Sequence, residues 1–185
     1  MINILEKATQ NIAHIDLFSK LLADRIIFIS EAICPQVVTE VQAQLLYLSA
    51  ISQGPIRMYI NSPGGRIYDG LGLCDTMDMV KKTCVIETIN IGLCASMSAV
   101  LLMKGTKGHR FSLPNCTTMI HQPSGGTDGQ ATDIEIDCKE VLRLKALLNK
   151  IIEECCGQDL SDKMERDCWL TAEMTKELGI IDEIK

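Results

Sequence analysis

The chain has 185 residues, 46% of them hydrophobic, and 18 Lys and Arg stand against 24 Asp and Glu for a formal net charge of −6. That length has room for one core burying about 70% of the extended chain's surface. The acidic balance, the lack of a basic block and an aromatic content of 4% exclude a nucleic-acid groove built from phosphate contacts and stacking platforms. No apolar run approaches the ~20 residues of a membrane span, and the opening residues lack the charged-then-apolar order of a secretory signal, so a soluble, cytoplasmic protein is expected. Nine cysteines are scattered without a Cys-x-x-Cys pair, which points to reduced thiols rather than a disulfide or zinc framework.

In chain order, residues 1–14 read as an N-terminal arm without regular periodicity, followed by a weak helical signal over 15–22. Residues 25–30 form an apolar run of strand length, and Pro35 suits the first turn of a helix with Val38, Val41, Leu45 and Leu48 on one stripe. The unit then repeats. Residues 56–61 read as a strand, Ser62-Pro63-Gly64-Gly65 as a turn, and 67–80 as a helix with Leu71, Cys74 and Met77 on one side. A third strand is expected over 84–91, with a compact turn from Gly92, a short apolar helix over 96–103, and two short strands over 109–113 and 117–120. Such alternation predicts an α/β fold of parallel βαβ repeats.

The loop 121–129 holds three glycines and a proline. Beyond it, residues 131–156 predict one long helix with Ile134, Cys138, Val141, Leu144, Leu148, Ile151 and Cys155 at helical spacing, stopped by Gly157. At ~1.5 Å per residue such a helix is about 39 Å long and must project from a domain of this size. Its apolar face then requires a second subunit, so the helix reads as an assembly element. A last helix capped by Thr171 and a strand over 180–184 complete a single domain over 15–185.

Two Gly-containing turns follow apolar strands, at the strand ends where ligands bind in open α/β sheets. Ser96, at the second of them, is a favoured helix N-cap and also a candidate nucleophile. Neither turn matches a dinucleotide or P-loop fingerprint, and G-x-S-x-G is absent. A hydrolytic serine needs a base. Of His14, His109 and His121, the last is best placed, at a strand end opening the glycine-rich loop, whereas Lys107 and Arg110 flank His109 with positive charge. Spacing does not choose an orienting carboxylate among a dozen aspartates.

Tyr59-Ile60-Asn61-Ser62-Pro63-Gly64-Gly65, Gly92-Leu93-Cys94-Ala95-Ser96-Met97, Met119-Ile120-His121-Gln122-Pro123, Gly129-Gln130-Ala131-Thr132-Asp133-Ile134 and Glu165-Arg166-Asp167 occur in one order. Together they resemble the ClpP family, the proteolytic subunit of the Clp protease, over about residues 15–184. The resemblance implies Ser96 as nucleophile, His121 as general base and Asp167 as the carboxylate that orients it. It also implies an oxyanion hole from the N–H groups of Gly65 and Met97, and an extended polypeptide bound along Gly64, Gln122 and Pro123.

On the same resemblance the fold is crotonase-like, with 131–156 as a "handle" helix interleaving between two stacked heptameric rings. An AAA+ unfoldase of the ClpX, ClpA or ClpC kind would feed unfolded chains into this tetradecamer, alone or mixed with a ClpP paralogue. No metal or cofactor is implied. The sequence departs from the family pattern in its N-terminal arm, at Arg57 where an aromatic residue is common beside Tyr59, and over 81–90, which is about two residues longer. A weakly active structural paralogue and an acyl-CoA hydratase or isomerase of the crotonase fold are the alternative readings. If accessible, Cys94 and Cys168, close in sequence to Ser96 and Asp167, would make the protein sensitive to bulky thiol reagents.

Overall fold

The computed structural model describes residues 3–7 and 12–185, with side chains from Asp16 onward. Strands β1 (Asn3–Lys7) and β2 (Ile12–Asp16) pair antiparallel in a sheet of their own, so a hairpin stands where an arm without regular structure was expected. Asp16 ends β2 and caps helix α1 (Leu17–Ala23), its carboxylate accepting from Ser19 N at 2.9 Å, which moves the helix start two residues beyond Ile15.

The main sheet is parallel through β3 (Ile26–Ile29), β4 (Ile56–Ser62), β5 (Ile86–Ala95) and β6 (Arg110–Ser112), with β9 (Glu183–Ile184) beyond β6. Helices α2 (Pro35–Ile51), α3 (Ile67–Val80) and α4 (Met97–Met103) make the crossovers that parallel neighbours need. Their buried faces are Val38, Val41, Leu45 and Leu48 on α2 and Gly70, Leu73, Cys74, Met77 and Val80 on α3; every side chain of α4 is buried. They join one apolar cluster with Ile27, Ile29, Ile56, Met58 and Ile60 of the strands. All nine cysteines are free.

The turn expected at Gly92 is absent. β5 runs on through Leu93, Cys94 and Ala95, which pair with β7 (Thr117–Ile120), while its first half pairs with β6. Asn61, at the register shift in β4, explains how the strand survives the glycine: its Oδ1 accepts from Leu93 N at 2.9 Å, and Asn90 Oδ1 accepts from Gly92 N at 3.0 Å. A Cβ on Gly92 would sit 2.6 Å from Asn61 Oδ1, so the residue serves close packing rather than a turn. An unforeseen strand β8 (Cys168–Leu170) pairs antiparallel with β7 and follows one 3₁₀ turn at Lys163–Glu165. Helix α6 (Ala172–Glu177) is capped by Thr171 as expected, but the terminal strand is two residues, not five.

Helix α5 (Ala131–Cys156) ends at Gly157, whose φ of 77° is the left-handed cap that glycine favours. Only its second half is rooted. Leu144, Leu148, Ile152 and Cys156 are buried, one row over from the expected Ile151 and Cys155, whereas residues 131–139 are exposed throughout. Ile134, Ile136, Val141 and Leu142 stand out in solvent on the free half. Among the described residues no helix is long and apolar enough to cross a membrane.

Arg110 anchors the C-terminal segment to the sheet. It is 1% exposed, and its Nη2 donates to Asp182 Oδ1 at 2.5 Å, its Nε to Asp182 Oδ2 at 2.9 Å and its Nη1 to Cys155 O at 3.1 Å. Burial alone would raise the Asp182 carboxyl, but Arg110's hydrogen bonds and charge outweigh it and hold the group below its ordinary value. A carboxyl lowered on folding stabilises above its unfolded pKa and loses that contribution as pH falls through the folded value. An Arg110→Met protein is expected to lose about 3–5 kcal/mol, because Asp182 is left without its partner. Its unfolding midpoint, followed by circular dichroism, should lie below the parent's at neutral pH and approach it in acid, where the carboxyl is neutral. Equal midpoints at neutral pH would remove the anchoring role.

Candidate active site

Three sequence-distant residues meet where β5 and β7 end. Ser96 Oγ lies 2.8 Å from His121 Nε2, and His121 Nδ1 lies 3.0 Å from Asp167 Oδ1. Ser96 N donates to Met119 O at 2.8 Å, extending the β5–β7 ladder to the serine itself. The chain then turns into α4 with Ser96 at φ 56° and ψ −125°, a conformation a non-glycine residue adopts at a cost of about 1–3 kcal/mol. In that pose Ser96 makes no side-chain cap hydrogen bond, which excludes the reading of it as an N-cap only. A strained strand-to-helix turn carrying an outward serine is what G-x-S-x-G sequences build, here reached without that motif.

The neighbouring glycine turn is held from behind. Ile33 N donates to Gly64 O at 2.8 Å and Arg66 N to Ile33 O at 2.9 Å, a parallel bridge centred on Gly65. Bridge geometry turns Gly65's own N–H away from Ile33, and Gly65, Met97, Ser96 and His121 line one pocket. Gly64 lies one layer deeper than expected. A Cβ there would sit 2.4 Å from Ala95 O, 2.7 Å from Ser96 Cβ and 2.9 Å from Met97 N, so it spaces the turn from the serine, and its carbonyl is already occupied by Ile33. Buried Ser98 Oγ lies 2.7 Å from Ser62 O and 2.8 Å from Ala95 O, and Ser62 Oγ donates to Glu31 O at 2.7 Å, tying turn and helix start together. On α3, Gly70 leaves room for the Met97 side chain. These supporting residues escaped the sequence reading because a Ser or Gly carries no sign of a partner some 35 residues away.

Gln122 and Pro123 line the same pocket as Ser96, and its apolar wall includes Ile67, Val100, Ile120, Leu148, Ile152 and Met164. Gln122 has a second task. Its N donates to Met164 O at 2.6 Å and its Nε2 to Glu165 O at 2.8 Å, binding the segment before Asp167 to the end of β7. His109 lies 3.5 Å from Glu87 and takes no part, and the side chain of His14 lies outside the described residues. Cys94 is fully buried, which pushes its thiol well above its ordinary value, so of the two cysteines beside Ser96 and Asp167 the partly exposed Cys168 is the one open to reagents. Among the described residues no group of three His, Cys, Asp or Glu could hold a metal ion.

Fold and site together define a serine hydrolase built on a parallel α/β sheet, with a hydroxyl, an imidazole and a carboxylate in series beside free backbone amides. The family model of the Clp protease matches residues 8–185. The ATP-dependent Clp protease proteolytic subunits of Bacteroides fragilis and Bacteroides thetaiotaomicron are each 46% identical over 98% of this chain and 88% and 83% of their own lengths. The same subunit of Porphyromonas gingivalis is 45% identical over 98% of this chain and 82% of its own. The chain belongs to the Clp protease family. Its activity is that of a serine-type peptidase, a proteolytic subunit.

Proposed function

We propose that Ser96 is the nucleophile, His121 the general base and Asp167 its orienting carboxylate in a peptidase acting on unfolded chains. The observation that carries this is the series of 2.8 and 3.0 Å contacts from Ser96 through His121 to Asp167. With the imidazole proton on Nδ1, facing Asp167, Nε2 presents a lone pair to the Ser96 hydroxyl. As Oγ attacks the scissile carbonyl, its proton passes to Nε2 and the Asp167 carboxylate steadies the resulting cation. The N–H groups of Gly65 and Met97 receive the oxyanion. Nε2 then returns its proton to the leaving amine, and the acyl-serine is released by water activated in the same way.

The substrate lies extended past Gly65, Gln122 and Pro123, with Gly64 acting from behind as spacer. The apolar pocket takes the side chain before the scissile bond. A charged side chain there would stand unpaired against Ile67, Leu148 and Ile152, a burial costing several kcal/mol. Short fluorogenic peptides with Leu or Met at that position are therefore expected to show kcat/KM at least about 100-fold above those with Asp. Equal rates would place the pocket elsewhere.

The exposed apolar residues of the free half of α5 support its role as a handle between two stacked heptameric rings, giving a tetradecamer of this chain, alone or with a ClpP paralogue. The relatives' names, ATP-dependent Clp protease proteolytic subunits, support a partner that uses ATP; on the family resemblance that partner is an AAA+ ATPase of the ClpX, ClpA or ClpC kind, acting in the cytoplasm. Residues 1–14, which carry β1 and the first part of β2, form an arm distinct from the peptidase domain over 15–185 and a candidate axial loop. Around Tyr59, where on the family resemblance the ATPase docks, Arg57 Nη2 donates to Asp24 O at 3.5 Å and Tyr59 stacks on Phe28 with ring centroids 5.4 Å apart. Light scattering on the sample that hydrolyses peptide tests the assembly: activity travels with a particle of fourteen subunits, and an active monomer would refute it.

A further inference from the structure

Asp167 is a carboxylate without a socket. Its side chain is 59% exposed, and among the described residues its one side-chain hydrogen bond goes to His121. Nothing packed around the carboxyl fixes it, so its place follows from the backbone just before it. That backbone is fastened at Met164 and Glu165, through the N and Nε2 of Gln122, the residue that follows His121.

Glu165 is also fastened from a third side. Lys145 Nζ, on the rooted half of α5, donates to Glu165 Oε1 at 2.5 Å, while Gln122 Nε2 lies 3.4 Å from Glu165 Oε2. Arg166 Nη1 donates to Glu165 O at 2.8 Å. The hydrogen bond and charge of Lys145 hold the Glu165 carboxyl below its ordinary value, so the carboxyl is ionised at neutral pH. Lys145 is 28% exposed, better shielded than most surface lysines, and one residue from Leu144 in the buried row of α5. One helix turn on, Leu148, Asn149 and Ile152 of the same face line the pocket. The rooted half of α5 therefore supports the pocket wall and the approach to Asp167 together.

We propose that Lys145 and Glu165 form a strut that holds Asp167 on His121 by fastening the segment 163–167 to α5, making both of them positioning residues. The inference rests on the reading of Ser96, His121 and Asp167 given above. It couples the seat of the handle helix to the geometry of the hydrolytic series, over contacts within one chain.

Lys145→Met, Glu165→Gln and the exchange Lys145→Glu with Glu165→Lys test it in the full chain. The readouts are peptide hydrolysis, particle size by light scattering and the stoichiometry of fluorophosphonate labelling. Each single variant is expected to lower kcat per labelled site about tenfold, inside the ~100-fold that a 1 Å misplacement can cost, with KM unchanged. Lys145→Arg should retain activity, and the exchange should recover most of the loss. A kcat equal to the parent's in both single variants overturns the strut. So does a loss that tracks the share of disassembled particles, or an exchange no better than the single variants. If the parent itself neither cleaves peptide nor labels at Ser96, the hydrolytic series falls, and the strut falls with it.

Discussion

A Ser96→Ala protein is expected to cleave short peptides about 10⁶-fold more slowly than the parent while keeping its fold and particle size. The hydroxyl is the only group at the site that faces His121 Nε2, at 2.8 Å, and without it the imidazole has no proton to take. Residual turnover, if measurable, is expected from water attacking a carbonyl whose oxyanion the proposed Gly65 and Met97 amides stabilise, worth about 10³–10⁴ over solution. The substitution carries little structural cost: Ser96 makes no cap hydrogen bond, and its strained dihedrals are imposed by the Ser96 N to Met119 O bond and the entry into α4. A Ser96→Ala particle that retains the parent's kcat would require a different nucleophile.

The second large effect is expected from a single methyl group at Gly64. Its φ of 86° is one that side chains rarely adopt, and the added Cβ meets the backbone at Ala95 O and Met97 N rather than a yielding side chain. Ile33 holds Gly64 from the far side, so the turn cannot simply back away. Either the turn or the Ser96 elbow must shift, and the donors proposed at Gly65 and Met97 are then displaced from each other. Losing one oxyanion donor costs ~2.7–4 kcal/mol, so Gly64→Ala should lower kcat by about 10²–10³ while KM changes little. Folding stability should fall by about 1–3 kcal/mol from the strained backbone. Steady-state kinetics beside a thermal melt separate the two, and a Gly64→Ala enzyme with the parent's kcat would show that the spacing of turn and serine is not what aligns the donors.

The sequence reading was strongest where local pattern decides structure. Val38, Val41, Leu45 and Leu48 define the buried stripe of α2, and Gly157 and Thr171 mark helix ends, because caps and periodicity act within a few residues. It failed where a distant partner decides. Gly92 reads as a turn, yet the Asn61 and Asn90 side chains carry β5 through it. On α5 the apolar residues make a stripe wider than the buried row, and packing against α4, where Cys156 Sγ meets Met103 Sδ, selects Ile152 and Cys156 over Ile151 and Cys155. β8 is three residues with Trp169 pointing out, too short to leave a periodic signal, and exists because β7 offers an edge.

Within the site, the residues alone singled out His121 and left Ser96 between cap and nucleophile. Asp167 was beyond them, since a carboxylate 46 residues from its imidazole is one of many until the chain is folded. The family motifs supplied it, and the fold brings it to His121. Lys145 and Glu165 had no such motif to connect them, being 20 residues apart on either side of a helix end.

The central claim is that Ser96 is made nucleophilic by His121, and a covalent adduct measures that most directly. Treatment of the assembled protein with a fluorophosphonate, followed by mass spectrometry of its peptides, is expected to place one phosphonyl group per chain on Ser96, with labelling abolished in His121→Ala. An adduct on another residue, or undiminished labelling of Ser96 without the imidazole, would contradict the account.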